Sequence, residues 1–329
     1  MKEEVLKTIK KYNLIESGDK LVLGVSGGPD SISMLNVLRE IAEDETIDLK
    51  FQIVVSHINH NIRKEAKEDE EFVKKYCDEN NIKFFSKSID VEKIANNSKI
   101  GIEEAGRKVR YEFFDEVLNK TNSNKIAIAH NKNDKVETMI MNVLRGSGLL
   151  GLKGIEPKRG KYIRPLIEIE REKIEEYCEE KNLNPRIDKT NFDNTYSRNK
   201  VRNVVIPYIK QEFNPNIIKT LDRLSELVKE EDTYVEKQVE KAYKEIFIEE
   251  NNEEIILNLK KFNNYEKVIK SRIVLYTITR LFGSSKGIEK IHIDDILKLC
   301  KNNIGNKFLT PNKNLKVLVK NHKIYFSKL

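Results

Sequence analysis

The stretch KLVLGVSGGPDSISMLNVLREI (residues 20–41) changes its apolar period halfway along. Leu21, Val22, Leu23 and Val25 form a short continuous apolar run, the pattern of a strand buried on both faces of a parallel sheet. From Ile32 onward Leu35, Leu38 and Ile41, with Met34 and Val37 beside them, mark one side of a helix. Ser26-Gly27-Gly28-Pro29-Asp30-Ser31 lies between the two periods. A strand turning tightly into a helix leaves the first N–H groups of that helix unpaired and converging. Glycines let a ligand approach that backbone, the helix dipole favours an anion, and Pro29 near the first turn has no N–H to lose. The stretch is suited to phosphate.

No Gly-Lys-Ser/Thr follows at Walker A spacing, and Gly-x-Gly-x-x-Gly is absent. Ser-Gly-Gly-x-Asp-Ser instead resembles the pyrophosphate-binding loop of the N-type ATP pyrophosphatases, which split ATP between its α and β phosphates. That resemblance makes Ser26, Gly27, Gly28, Pro29, Asp30 and Ser31 the ATP-binding residues.

Outward from this stretch, residues 2–13 have the spacing of an amphipathic helix. Strands are expected at 51–56, 82–85, 126–130 and 162–167. Helices are expected at about 65–80 and 101–117, and again after Asn131-Lys132-Asn133-Asp134. In that last helix Val136, Met139, Ile140, Val143 and Leu144 recur at helical spacing before Arg145-Gly146-Ser147-Gly148 stops it. Alternating strands and helices argue an α/β fold, a parallel sheet with helices on both faces, whose ligands sit at the carboxyl ends of the strands. Beyond about 200 the pattern becomes helical (214–245, 263–282, 291–300), closing with strand-like patches at Leu315–Val319 and Lys323–Phe326. This predicts a first domain over 1–210 and a mainly helical second domain with a small β element over 211–329.

Lys+Arg exceed Asp+Glu by seven in 329 residues. Net charge of that size supports polyanion binding only weakly. Seven lysines and no acid fall in the last thirty residues, suited either to RNA phosphates or to protecting edge strands. Residues 186–210 hold Arg186, Lys189, Arg198, Lys200, Arg202 and Lys210 against Asp188 and Asp193. Cys77, Cys178 and Cys300 lack any paired spacing and read as reduced core thiols. No apolar run has membrane length, and Met1-Lys2-Glu3-Glu4 does not open a signal peptide. A cytoplasmic protein without membrane contact is expected.

Five blocks, over residues 20–210, resemble the tRNA(Ile)-lysidine synthetase family in its order. They are Ser26–Ser31; Asn59-His60-x-Ile62-Arg63; Glu104-Ala105-Gly106-Arg107-x-x-Arg110-Tyr111; Ala129-His130-x-x-Asn133-Asp134-x-x-Glu137-Thr138 with Leu144-Arg145-Gly146-x-Gly148; and Asp188-x-Thr190-Asn191 with Arg198-Asn199-x-x-Arg202. The resemblance implies an adenine-nucleotide α-hydrolase-like fold and a ligase. Its partners would be ATP, Mg²⁺, L-lysine and a tRNA(Ile) with a CAU anticodon; oligomeric state, a homodimer included, stays open. ATP would adenylate the wobble cytidine and lysine would displace AMP to form lysidine, converting AUG to AUA decoding.

By that resemblance Asp30, Arg107, Asp134 and Glu137 are catalytic. Asp134 and Glu137 receive lysine, Asp30 and Asp134 hold metal, and Arg145, Arg198, Lys200 and Arg202 contact tRNA or phosphate. Plainer readings stand beside these. Asp134 and Glu137, three apart, suit a capping box in which Asp134 accepts a backbone N–H and Glu137 reaches back. Arg107 and Arg110 suit a solvated helix face, and His60 and His130 suit structural hydrogen bonding. A tRNA thiolase or a non-catalytic nucleotide- or RNA-binding protein are the rival functions; thiolases usually bring reactive cysteines that this sequence lacks.

Overall fold

A computed structural model describes residues 1–59, 66–186, 193–302 and 307–329. His60, Ile62 and Arg63, and Asp188, Lys189, Thr190 and Asn191, lie outside the described residues. The chain forms two compact units, Met1–Glu226 and Leu227–Leu329.

The first unit opens with α1 (Lys2–Tyr12), β1 (Lys20–Gly24), α2 (Pro29–Glu43), β2 (Gln52–Asn59), α3 (Ala66–Glu79) and β3 (Lys83–Ser88). It continues through α4 (Val91–Ser98), α5 (Ile102–Lys120), β4 (Lys125–Ile128), α6 (Lys132–Leu144), β5 (Lys158–Arg159), β6 (Tyr162–Ile163) and α7 (Arg171–Glu180). Two short helices, α8 (Ser197–Lys200) and α9 (Ile206–Glu212), flank a π-helical turn at Val201–Val205. The sheet order is β3-β2-β1-β4-β6-β5, parallel except for β5, which runs antiparallel to β6.

On one face of the sheet Leu21 and Leu23 of β1 pack with Ile32, Leu35 and Leu38 of α2 and with Val5, Ile9 and Ile174 of α1 and α7. On the other, Val22, Val54 and Ile126 pack against Phe113, Phe114 and Val117 of α5. Both faces are thus covered, as the unbroken apolar run of β1 requires. Gly24 lets α5 approach, since a Cβ there would stand 2.4 Å from Cζ of Phe114. The strand expected over 162–167 pairs only at Tyr162 and Ile163. The Arg164 N–H turns away to the carbonyl of Pro157 at 2.9 Å, and Pro165 has no N–H to offer.

The first unit extends sixteen residues past the boundary expected at 210. Helix α10 (Ile217–Ile246) runs through the change without a break. Its first turns belong with the first unit because Ile218 packs with Val136, Val201 and Ile206. The buried Lys135 also donates to Asp222 Oδ1 at 2.7 Å and to Glu226 Oε1 at 2.8 Å. An amphipathic pattern that continues smoothly carries no mark of where its apolar side changes partners.

The second unit contains the rest of α10, β7 (Phe247–Glu250), β8 (Glu254–Asn258), α11 (Leu259–Asn263), α12 (Lys267–Phe282), α13 (Lys290–Asn302), β9 (Lys307–Asn312), β10 (Leu315–Lys320) and β11 (Lys323–Lys328). Its antiparallel sheet has the order β7-β8-β11-β10-β9. Alternate residues Ile255 and Leu257, Leu315, Val317 and Val319, and Ile324 and Phe326 are fully buried against the helices. The strand spacing of β10 and β11 is visible in the sequence but that of β7, β8 and β9 is not. β7 and β9 leave Phe247, Ile248 and Phe308 exposed, and β8 carries the unbroken triplet Ile255-Ile256-Leu257, so none of the three shows a clean apolar–polar alternation. The lysines of β10 and β11 sit on interior strands, so edge protection does not explain them. No helix among the described residues is long and apolar enough to cross a membrane.

Candidate active site

The strand order reverses at β1, which has β2 on one side and β4 on the other, and the carboxyl ends of β1 and β4 meet where such sheets bind ligands. After β1 the chain turns at Gly27, whose φ of +94° lies in the left-handed region. The N–H groups of Ser26 and Gly27 converge on Ser31 Oγ at 3.1 and 3.2 Å, and that hydroxyl donates to the Gly28 carbonyl at 3.0 Å. Gly28 caps α2 without a side chain and Pro29 opens its first turn, as the sequence implied. The loop is pinned from outside by Arg186, whose N–H donates to the Gly27 carbonyl at 3.0 Å while its guanidinium pairs with Glu68 and Asp69 of α3.

Asp30 faces α6 across this crevice. Asn131, wholly buried, donates from Nδ2 to Asp30 Oδ1 at 2.7 Å. The same residue caps α6: its Oδ1 accepts the Asp134 N–H at 2.9 Å, and Asp134 Oδ2 accepts the Asn131 N–H at 3.1 Å. The capping box of α6 is therefore Asn131–Asp134. This corrects the pairing of Asp134 with Glu137: the helix starts at Lys132, which makes Asp134 its third residue and puts Glu137 a full turn too deep to reach the cap. Burial and the charge of Asp134 raise the Asp30 carboxyl above the usual carboxylate range.

Glu137 is 1% exposed and held by arginines. Arg198 reaches Glu137 Oε2 at 2.9 Å and Asp134 Oδ1 at 3.2 Å. Arg202 reaches Glu137 Oε1 at 2.6 Å and Asp134 Oδ1 at 2.9 Å. The two arginines are four residues apart, on α8 and the following π turn, so they share one side of the helix. Burial works against the charge on Arg202, but the hydrogen bond to Glu137 and the carboxylates of Glu137, Asp134 and Asp30 raise its pKa overall. Arg171, the first residue of α7, adds a third cation 3.6 Å from both acids, with a buried Nη2 that has no hydrogen-bond partner. Asn131 is visible in the sequence only as the residue ahead of a helix, with no role at the site, and nothing in the sequence singles out Arg171; the apolar strand before Asn131 and its Asx position are the only signal.

The remaining sequence candidates are scattered. Arg107 is exposed and donates to the Tyr111 hydroxyl at 3.0 Å while lying over that ring. Arg145 at the end of α6 and Lys200 in α8 are exposed, without a described contact to the acids. His130, after β4, accepts from Arg164 Nε at 3.1 Å through Nδ1. Burial, then the charges of Arg164, Arg198, Arg107 and Arg110, push its pKa down to about 3. It is a neutral imidazole with its proton on Nε2. Cys77, Cys178 and Cys300 are buried and unpaired, and burial pushes the Cys77 and Cys300 thiols up to about 12.

Among the described residues no three His, Cys, Asp or Glu side chains form a metal cluster. Asp134 has both oxygens engaged, Oδ1 by arginines and Oδ2 by the Asn131 N–H. Asp30 has one oxygen held by Asn131, and its raised pKa marks a carboxylate that a nearby cation would favour. One such carboxylate with phosphate oxygens suffices for Mg²⁺.

Residues 1–209 match the family model of the PP-loop domain. The chain is 44% identical over 324 residues to the tRNA(Ile)-lysidine synthase of Clostridioides difficile (strain 630), covering 98% of this chain and 69% of that protein. It is 45% identical over 314 residues to the enzyme of the same name from Clostridium acetobutylicum, covering 95% of this chain and 67% of that protein. The chain thus spans about two thirds of the length of these relatives. Among solved structures, the U34-tRNA thiolase NcsA from Methanococcus maripaludis aligns over 69% of this chain and 77% of its own, with a TM-score of 0.55 at 19% identity. That likeness concerns the fold. The phosphate-suited loop, the acids gathered opposite it and the matches along nearly the whole chain agree: this chain belongs to the tRNA(Ile)-lysidine synthase family, built on a PP-loop ATP-binding domain.

Proposed function

We propose that the chain adenylates the C2 carbonyl oxygen of the wobble cytidine in a CAU-anticodon tRNA(Ile) and joins L-lysine to the activated carbon. The bridge from Asp30 through Asn131 to Asp134 carries this reading: it ties the phosphate loop to the acid pair across one crevice. A cytosine carbonyl oxygen is a poor leaving group, and adenylation makes AMP leave instead. The N–H groups that now meet Ser31 Oγ suit the oxygens of the departing pyrophosphate. Asp30 is the residue to hold Mg²⁺, which when bound supplies charge neutralisation on the phosphates. Asp134 and Glu137 suit the cationic end of lysine, because two desolvated carboxylates select a compact ammonium. Arg198 and Arg202 occupy those acids here, so a lysine ammonium has to compete with them. A base in an anticodon loop can be splayed out and read without opening a duplex.

The buried, protonated thiols weigh against sulfur transfer, and a mere nucleotide binder has no use for the acid pair. The test is incorporation of labelled L-lysine into unmodified tRNA(Ile) bearing a CAU anticodon, with and without ATP. ATP-dependent label at the wobble cytidine is the expected result. ATP-to-AMP turnover with tRNA but no label removes the lysine assignment.

A further inference from the structure

Several buried or half-buried cations in the first unit have acids beside them. Lys135 has Asp222 and Glu226, Arg202 has Asp134 and Glu137, and Lys125 has Asp19 at 2.6 Å. Arg164 is different. It is 6% exposed, yet makes no ion pair among the described residues. Its Nε donates to His130 Nδ1 at 3.1 Å and its Nη1 to the carbonyl of Glu156 at 2.7 Å, both neutral acceptors, while Nη2 makes no described hydrogen bond. The charges that act on this corner are largely positive. Arg198, Arg107 and Arg110 act with Arg164 on His130, and Arg107 and Arg159 act on Arg164 itself, with Glu156 and Tyr111 the opposing groups. A buried guanidinium left without a counter-charge is costly unless a ligand brings one.

We propose that Arg164 binds the α-carboxylate of the lysine substrate, fixing the far end of the amino acid whose ε-nitrogen meets Asp134 and Glu137. This rests on the reading of those two acids given above. Arg164 follows β6, next in the sheet to β4, which leads into α6 and its acids. Arg198 joins the two places: it touches both acids and its charge reaches His130, the partner of Arg164. A zwitterion with a four-carbon stem between its charges needs opposite charges at that kind of spacing. The neutral His130 holds the guanidinium plane without cancelling its charge. A single open edge on a buried guanidinium suits a carboxylate. A phosphodiester backbone stays in solvent and does not reach a cation that is only 6% exposed.

The experiment compares L-lysine, L-lysinamide and 1,5-diaminopentane as amines for the wild-type enzyme and for Arg164→Gln and Arg164→Lys. ATP- and tRNA-dependent pyrophosphate release without amine reports folding and adenylation. Wild type is expected to favour lysine over the two amines lacking a carboxylate by about 10- to 100-fold in kcat/KM, the worth of one charge-assisted contact. Arg164→Gln should raise the KM for lysine by that factor, leave diaminopentane unchanged and keep adenylation; Arg164→Lys should recover part of the preference. If Arg164→Gln does not adenylate, the same comparison is read from Arg164→Lys. Equal use of all three amines by wild type overturns the proposal. So does an equal loss for all three in the variants, or weakened tRNA affinity with an unmoved lysine KM. Adenylation by wild type with no amine accepted removes the parent reading instead.

Discussion

Asn131 Nδ2 lies 2.7 Å from Asp30 Oδ1, a hydrogen bond across the point where the sheet order reverses. It joins residues 101 apart in sequence and sets the loop after β1 against the cap of α6. Asn131 does this with the one side-chain group its capping role leaves unused, since its Oδ1 is committed to the Asp134 N–H. The phosphate loop and the acid pair are consequently linked to each other through one buried amide.

Asp30→Asn keeps an oxygen for Asn131 while removing the charge. Burial and Asp134 oppose ionisation of Asp30 in the fold, so the variant should unfold at the same or a higher denaturant concentration near neutral pH. ATP-to-AMP turnover should fall at least about 100-fold. Parallel urea titration and pyrophosphate release check both halves; retained turnover removes Asp30 from the phosphate chemistry.

Glu137→Gln should spare adenylation and raise the KM for lysine by about 10-fold or more. It should also lower stability by about 2 kcal/mol, less than for a wholly dry ion pair because Arg198 and Arg202 remain 30% and 23% exposed. Separate assays of pyrophosphate release and lysine incorporation distinguish the steps. Equal loss in both would return Glu137 to a purely structural part.

Gly24→Ala would press a methyl group onto Phe114, with the two carbons 2.4 Å apart. Overpacking of this kind costs about 1–3 kcal/mol. Adding Phe114→Leu should recover part of the stability, a coupling that a double-mutant cycle of urea midpoints measures. Additive effects would show that the ring yields without cost.

The His130 pKa of about 3 lies below the ordinary 6.5. Between those values the unfolded chain binds the proton and the fold refuses it, so stability is full above about pH 6.5 and falls as pH drops toward 3. The slope from this group is at most about 1.4 kcal/mol per pH unit. Urea midpoints from about pH 7 to 5 should therefore fall more steeply for wild type than for His130→Asn. Superimposable profiles would show that burial and the arginines do not hold the ring neutral.

Lys313 and Lys320, both exposed in the second unit, suit RNA phosphates. Changing both to Gln should weaken tRNA binding and reduce the slope of log K against log salt by roughly 0.7–0.9 for each phosphate that the lysines neutralise. Titrations at several salt concentrations read this directly. An unchanged slope would place the tRNA path elsewhere.

Much of this was legible in the chain itself. The switch from apolar run to helical period at Ile32 located β1, the loop and α2, because burial on two faces and on one face leave different spacings. Five separated blocks identified the family resemblance, since short polar residues at fixed offsets rarely recur together without a site. The five-stranded sheet of the second unit was only half visible: β8 buries just Ile255 and Leu257, and β7 leaves Phe247, Ile248 and Glu249 exposed, so a period of two has few positions to register.

What the sequence determined was local: which segments bury which side, where the anion-suited turn lies, and which residue types are available for chemistry. Only the tertiary structure decided how these meet. Asn131 became the link to Asp30 because β1 and β4 are neighbours. Arg171, Arg198 and Arg202 came onto Asp134 and Glu137 from segments more than thirty residues away, and Arg164 emerged as a buried cation without an acid. Such pairings depend on distances through space, and charge fixes no partner until folding has set the distance and removed the water between.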